Sequence, residues 1–231
     1  TTRRSGAPSW GSSPRVFDPF GWSAFLRERL RYRLVQAFVI AACAALLALR
    51  VREWPHFLFK PLWFAEVAIY VVFIWMYAVR VEPVDRSRGV REILLPLAAG
   101  ALPFAFLLFP VNRGIVPTRE RAMVLFAFMT LFTALTIWGM VTLRRAFSVT
   151  VEARTLVTGG PYRFVRHPIY AGEVLTGAMV VTLRLSPLNA ALLALFVVLQ
   201  LFRSRLEERK LSRNFPEYPA TVGQSWWFWK I

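Results

Sequence analysis

Apolar residues are gathered into long runs, and most of these runs are 16 to 22 residues long with almost no charge. Because a helix of roughly 20 residues crosses about 30 Å of hydrocarbon, such runs are typical of bilayer-spanning helices. The pattern predicts an all-α fold, a polytopic integral membrane helical bundle of about six transmembrane helices. The predicted spans cover residues 34–49, 61–79, 93–109, 122–143, 169–185 and 190–202.

The segments between the runs predict how the spans are joined. Residues 22–33 carry apolar positions at helical spacing between arginines, the pattern of an amphipathic interfacial helix that follows a flexible lead-in. Residues 186–189 are too few for more than a tight turn, so the last two spans should form a helical hairpin. Helix-breaking residues predict a kink in the third span, at Pro96, Gly100 and Pro103. We divide the chain into residues 1–33, four spans within 34–143, and a C-terminal core, residues 144–231.

The basic residues are distributed unevenly about the predicted spans. The net charge is +16, but the 29 Lys and Arg residues flank the apolar runs and form no separate basic domain, which argues against nucleic acid as a partner. With both termini in the cytoplasm, 22 of them lie on the cytoplasmic side and 7 on the opposite side. Cytoplasmic loops carry such an excess, which also attracts anionic lipids. We therefore expect cytoplasmic termini and membrane lipids as partners, with the oligomeric state left open.

The counts of particular residue types bear on the source of the protein and on the kinds of site that it can contain. All but three of the basic residues are Arg, which favours a GC-rich bacterial genome and hence a bacterial inner membrane. Cys43 is the only cysteine, and His56 and His167 are the only histidines. Neither a disulfide nor a metal site is therefore expected.

A dense polar cluster adjoins the predicted fifth span. Residues 159–172 contain two arginines, a histidine and two tyrosines, and charge at a membrane segment is expensive enough that it usually marks a site. A second cluster ends the sixth span, with Arg203 and Glu207 four residues apart and so on one helical face. The hairpin should return this end to the side of His167 and Tyr170. We predict an interfacial pocket there, on the cytoplasmic face and open to both cytosol and lipid.

Three short motifs carry a resemblance to a known family. They are Gly160-Pro161-Tyr162-Arg163, Arg166-His167-Pro168-Ile169-Tyr170-Ala171-Gly172 and Glu207-Glu208. In this combination the chain resembles the isoprenylcysteine carboxyl methyltransferase family, which also takes in phosphatidylethanolamine N-methyltransferases and related bacterial membrane methyltransferases. The resemblance covers about residues 143–218 and implies a membrane enzyme that transfers methyl groups.

The resemblance implies S-adenosyl-L-methionine as the cofactor. Basic motif residues would bind its carboxylate, acidic residues its ammonium, and aromatic or apolar residues its adenine. The predicted cofactor-binding residues are Leu156, Val157, Gly160, Tyr162, Arg163, Arg166, His167, Tyr170, Gly172, Glu207 and Glu208. Two catalytic roles are predicted: Arg203 would grip an anionic part of the acceptor, and Glu207 would take a proton from an amine acceptor.

The methyl acceptor is expected to be lipophilic. The choices are a phospholipid amine, an isoprenoid or prenylcysteine carboxylate, or a small thiol, and a bacterial source disfavours prenylated protein. Two other functions stay open. One is an NADPH-dependent membrane reductase resembling the sterol reductases, whose C-terminal region is similar. The other is a non-catalytic lipid-binding membrane protein.

Three further features allow two interpretations each. Glu66 lies inside the second predicted span, where a charge indicates either a buried partner or a site. Glu173 directly follows the second motif, so it lies either in the pocket or beside it. The aromatic tail, residues 226–229, is typical of a membrane-surface anchor but departs from the family's usual ending, which leaves open whether it closes over the cofactor.

Overall fold

The computed structural model describes residues 22–81, 83–87, 89–108, 118–223 and 225–227. These residues contain helices and no strand, which confirms the predicted all-α class. Two compact units are present, residues 1–38 and 39–231, and the described part of the first is helical. The helices are α1 Trp22–Arg52, α2 Lys60–Val79, α3 Gly89–Leu108, α4 Arg119–Leu143, α5 Pro168–Leu183, α6 Pro187–Asn214 and α7 Tyr218–Val222.

Five of these helices are long and apolar enough to cross a membrane. They cover Arg33–Arg52, Lys60–Val79, Gly89–Phe106, Arg119–Ala146 and Pro187–Asn214, at mean hydropathies between 1.4 and 2.2. The sixth apolar helix, α5, has 16 residues and so spans only about 24 Å. The polytopic helical bundle is thus as predicted.

The bounds of the first and last apolar helices differ from the prediction. The expected interfacial helix and first span are one continuous helix, because no Gly or Pro interrupts the chain between them. The last helix continues past Phe202 to Asn214, which carries the acidic pair on the same rigid element as the span. The expected lead-in before Trp22 and the predicted end of the third span at Phe109 lie outside the described residues.

Helices α4 and α5 approach closely because small residues lie between them. A Cβ atom added to Gly172 would come within 2.2 Å of Oγ1 of Thr136 and 2.7 Å of the carbonyl oxygen of Phe132. One added to Gly139 would lie 2.8 Å from Cγ1 of Ile169. The close packing fixes the start of α5, and with it the motif residues, against the end of α4.

The hairpin of α5 and α6 is present as predicted. Ser186 caps α6 by accepting a hydrogen bond on Oγ from the Asn189 backbone N–H at 3.1 Å. The Asn189 side-chain amide donates to the Arg184 carbonyl oxygen at 2.7 Å. Arg184 in turn donates from Nε to the carbonyl oxygen of Phe106 at 3.1 Å, which ties the turn to α3.

At the end of the bundle away from the α5–α6 turn, polar contacts join the α2–α3 connection, the α4–α5 connection and the C-terminal part of α6. The backbone N–H of Val84 donates to the Ala153 carbonyl oxygen at 2.8 Å, which joins the α2–α3 and α4–α5 connections. The buried Lys210 of α6 donates from Nζ to Oε2 of Glu92 at 2.6 Å and to the Val151 carbonyl oxygen at 3.1 Å. Three of the four segments that the charge asymmetry assigns to one face, the α2–α3 connection, the α4–α5 connection and the end of α6, therefore lie together, while the assignment of that face to the cytoplasm stays a prediction.

Glu66 has a partner within the bundle. Its Oε2 lies 3.1 Å from Nε of Arg50 at the end of α1. The ion pair favours the structural interpretation of this membrane-embedded carboxylate.

Candidate active site

A pocket opens at the end of the bundle where the connecting segments meet. Five elements line it: the end of α4, the extended connection after it, the start of α5, the C-terminal half of α6, and α7. The space outside the protein atoms, including the open mouth, is about 870 Å³. Its lining includes two acidic and three arginine side chains, at Glu152, Glu207, Arg154, Arg166 and Arg203.

The start of α5 is fixed by its sequence. Gly160 has a φ of +59°, which favours glycine and lets the chain turn beneath α4. Pro168 occupies the first turn of α5, where its missing N–H costs nothing and its fixed φ suits the helix. Arg166 and His167 therefore lie directly before the helix, both buried, and both line the pocket.

Glu208 contacts both Arg166 and His167 from outside the pocket. Its Oε1 lies 3.1 Å from Nε2 of His167 and 3.3 Å from Nη1 of Arg166. Glu208 is 4% exposed and does not line the pocket. The carboxylate therefore orients two cationic or donor groups that themselves face the cavity.

Glu207, the other half of the acidic pair, lies inside the pocket. It accepts a short hydrogen bond on Oε1 from the Tyr170 hydroxyl, and the same oxygen lies 3.4 Å from Nε of Arg203. The guanidinium of Arg203 lies 4.6 Å from the centre of the Tyr170 ring and donates from Nη2 to the Val149 carbonyl oxygen at 2.7 Å. Arg203 is thus held from three sides.

The extended connection after α4 supplies polar side chains that the sequence-based site prediction did not include. Ser148 and Arg154 donate to Oε2 of Glu152 at 3.0 Å and 2.5 Å. All three residues line the pocket. A usable signal was present, because Glu152 is the only acidic residue between Leu143 and Gly172 in a strongly basic segment.

The aromatic tail is only partly a surface feature. Trp227 is 8% exposed, with its ring 4.8 Å from the His167 ring, whereas Trp226 is 58% exposed. The backbone of Trp226 pairs with Phe164 and Arg166. The interpretation as a membrane-surface anchor is therefore wrong for Trp227, which packs in the core behind the site. Residues 228 and 229 lie outside the described residues.

The predicted site residues divide into two groups. Those that line the pocket are Leu156, Val157, Tyr162, Arg166, His167, Tyr170, Arg203 and Glu207. The remaining four lie elsewhere: Gly160 in the turn before α5, Arg163 on the surface, Gly172 between α4 and α5, and Glu208 behind Arg166 and His167. The roles of both groups toward a cofactor stay predictions.

Two tyrosines of the pocket stay neutral. Burial raises the pKa of Tyr162 well above its ordinary value, and the negative charges of Glu207 and Glu173 add to the effect. Burial also raises the pKa of Tyr218, with a contribution from Glu208. Both phenols can therefore donate a hydrogen bond in the physiological pH range. Among the described residues, no group of three His, Cys, Asp or Glu side chains could hold a metal ion.

Comparison with known proteins bears on this region of the chain. No curated protein matches the sequence. Residues 123–213, from α4 to the end of α6, match the model of the isoprenylcysteine carboxyl methyltransferase (ICMT) family. The match includes all three short motifs and most of the pocket lining, and it supports a membrane methyltransferase. Residues 123–213, less than half of the chain, are therefore similar to the ICMT family.

Proposed function

We propose that this chain transfers a methyl group from S-adenosylmethionine to a lipophilic acceptor at the membrane interface. The observation that carries the proposal is the convergence of Arg166, His167, Arg203 and Glu207 in one pocket at the end of the membrane helices. Arg166, His167 and Glu207 belong to the three short motifs, Arg203 lies one helical turn before Glu207, and the family match gives their combination a methyl-transfer context.

The donor set fits the cofactor's charged end. Arg166 donates from Nε to the Ser225 carbonyl oxygen and from Nη1 to Oε1 of Glu208, while Nη2 donates to none of the described residues. This free donor on a pocket-lining guanidinium, beside His167, suits a carboxylate. Glu207 supplies an acceptor for an ammonium group, and Leu156, Val157 and Tyr162 supply apolar and aromatic surface for adenine.

The chemistry requires little of the protein beyond positioning. When bound, S-adenosylmethionine supplies a methyl group on a sulfonium, which a nucleophile in line with it can take. Arg203 would hold an anionic part of the acceptor, because its Nη1 donates to none of the described residues while Nη2 is fixed on Val149. A carboxylate or thiolate acceptor needs no base, whereas an amine would pass its proton to Glu207.

The acceptor class follows from where the pocket lies. The pocket adjoins the ends of α4, α5 and α6, so under this proposal an acceptor dissolved in the bilayer would enter between helices and the polar cofactor from the water. A phospholipid amine, an isoprenoid carboxylate and a small lipophilic thiol all meet these conditions.

Radiolabelled methyl transfer tests the proposal. The purified protein in lipid nanodiscs would receive S-adenosylmethionine with a tritiated methyl group, together with a total bacterial lipid extract and a panel of isoprenoid acids and thiols. We expect label in one acceptor class. Label in none, together with NADPH binding, would support the reductase instead, and binding of neither cofactor would support a non-catalytic lipid-binding protein.

A further inference from the structure

Glu152 has an acceptor atom that the fold leaves unused. Both hydrogen bonds that it accepts from described residues, from Ser148 and Arg154, end on Oε2. Oε1 accepts none from them, yet the residue lines the pocket and its side chain is only 13% exposed. A carboxylate oxygen has room for up to two donors, so Oε1, on a side chain that lines the pocket, is open to a donor from a ligand.

The surroundings of Glu152 fix its direction. Arg154, whose side chain is fully buried, pairs with it at 2.5 Å. Ser148 donates a hydrogen bond to the same Oε2, and its Oγ lies 3.2 Å from Oγ1 of Thr150. Because Oε2 is fixed twice, the orientation of Oε1 is set before any ligand arrives, which lowers the entropy lost on binding.

The wall on which Glu152 lies also carries the surface that suits adenine. Leu156 and Val157 follow Glu152 within five residues, and these three residues line the pocket. The donors that suit a carboxylate, Arg166 and His167, belong to a different element at the start of α5. In an adenosyl ligand the ribose is bonded directly to the adenine. The ribose hydroxyls are therefore the donors expected beside Glu152.

We propose that Oε1 of Glu152 accepts hydrogen bonds from the ribose hydroxyls of the adenosyl cofactor, an inference that rests on the proposed function. The alternative donor, the ammonium at the other end of the cofactor, fits less well. Arg154 already balances the charge of Glu152, so the carboxylate offers hydrogen-bond acceptance more than net attraction for a cation.

Calorimetric titration of the full chain in detergent distinguishes the ribose hydroxyls from the ammonium group as the donors to Glu152. The ligands are S-adenosylhomocysteine, 5′-methylthioadenosine, which lacks the amino-acid end, and the 3′-deoxy form of the latter. Glu152→Gln should weaken the first two about equally, by about 10-fold or more, the loss expected for a charge-assisted hydrogen bond. For the 3′-deoxy ligand the same substitution should cost clearly less. The matched control is Glu120→Gln, at an exposed carboxylate in the first turn of α4.

A folding defect is guarded against by a second variant. Glu152→Asp keeps the charge opposite the buried Arg154 but shortens the reach by one methylene, so it should retain the wild-type unfolding temperature and still weaken both ligands. A loss confined to S-adenosylhomocysteine would assign Glu152 to the ammonium and overturn the ribose contact. Wild-type affinities in both variants would overturn the contact altogether. If the wild-type chain binds none of the three ligands, the proposed function itself fails.

Discussion

His167 and Glu208 lie 41 positions apart in the chain, yet Nε2 of His167 is 3.1 Å from Oε1 of Glu208. The contact joins the motif at the start of α5 to the acidic pair on α6, across the hairpin of these two helices. Because Arg166 shares the same carboxylate at 3.3 Å, one buried acid on α6 orients two consecutive residues of the pocket. A change at Glu208 should therefore reach a ligand through Arg166 and His167, without a contact of its own.

Arg203 is expected to serve the acceptor more than the cofactor. Arg203→Ala should lower turnover strongly while leaving the affinity for S-adenosylhomocysteine within a few-fold of wild type, the pattern of an interaction made with the acceptor or in the transition state. Methyl-transfer rates at saturating cofactor and calorimetry check this. Arg209→Ala, an exposed arginine on the same helix, is the control. If Arg203→Ala loses cofactor binding and keeps its turnover, Arg203 belongs to the cofactor site.

Gly172 should act through helix packing. Gly172→Ala places a methyl group into Thr136 and the Phe132 backbone, so we expect a loss of about 1–3 kcal/mol in the free energy of unfolding. The control is Gly100→Ala in α3, where an added Cβ meets nothing within 4 Å. That substitution should leave the stability unchanged or raise it slightly, since Ala is the better helix former. Equal thermal unfolding midpoints for the two variants in detergent would contradict the close approach of α4 and α5.

Lys210 should stabilise the end of the bundle that carries the pocket. Its ammonium donates to the Arg86 carbonyl oxygen at 2.8 Å as well as to Glu92 and Val151, so Lys210→Met removes a donor that three oxygens share. We expect a loss of about 1–3 kcal/mol, or a fall of several degrees in the unfolding midpoint. The exposed Arg209→Met is the control. In a double-mutant cycle with Glu92→Gln, additive losses would show that the two residues do not interact.

The orientation in the membrane can be tested directly. Reporter fusions at Gly114 and Asn189 should read external and one at Arg88 internal, because the connections rich in Arg are expected to face the cytoplasm. The hydrogen bonds among the α2–α3 connection, the α4–α5 connection and α6 add a constraint, since all three must then read the same side. An internal reading at Gly114 would contradict the six-span topology.

The spans and the pocket's motif residues could be predicted from sequence because their signals are local. Apolar runs set the number of helices, and the residue types of the motifs set most of the pocket lining. The direction of a side chain was harder to predict. Consecutive helix positions point about 100° apart, so Glu207 and Glu208 face in different directions, and the dipeptide does not say which of them lines the pocket. Glu152 lies in an extended connection without periodicity, where no pattern places its carboxylate.

The aromatic tail shows a second limit. The sequence does not distinguish a tryptophan at a membrane surface from one in a protein core, because the same apolar ring with one N–H suits both environments. Trp227 donates that N–H to Oγ of Ser204 at 3.3 Å, a contact that depends on the tertiary position of α6. Only the packed structure distinguishes the two environments.

The central claim, that the pocket binds the adenosyl cofactor, is tested most directly by calorimetric titration of the purified chain with S-adenosylhomocysteine and, separately, with NADPH. We expect S-adenosylhomocysteine to bind and NADPH not to bind. His167→Ala should weaken the binding by about 1–3 kcal/mol, the cost of removing a buried donor. His56→Ala, at the only other histidine, which is exposed and outside the pocket, should not change it. Unchanged affinity in His167→Ala, or binding of NADPH in place of S-adenosylhomocysteine, would contradict the assignment.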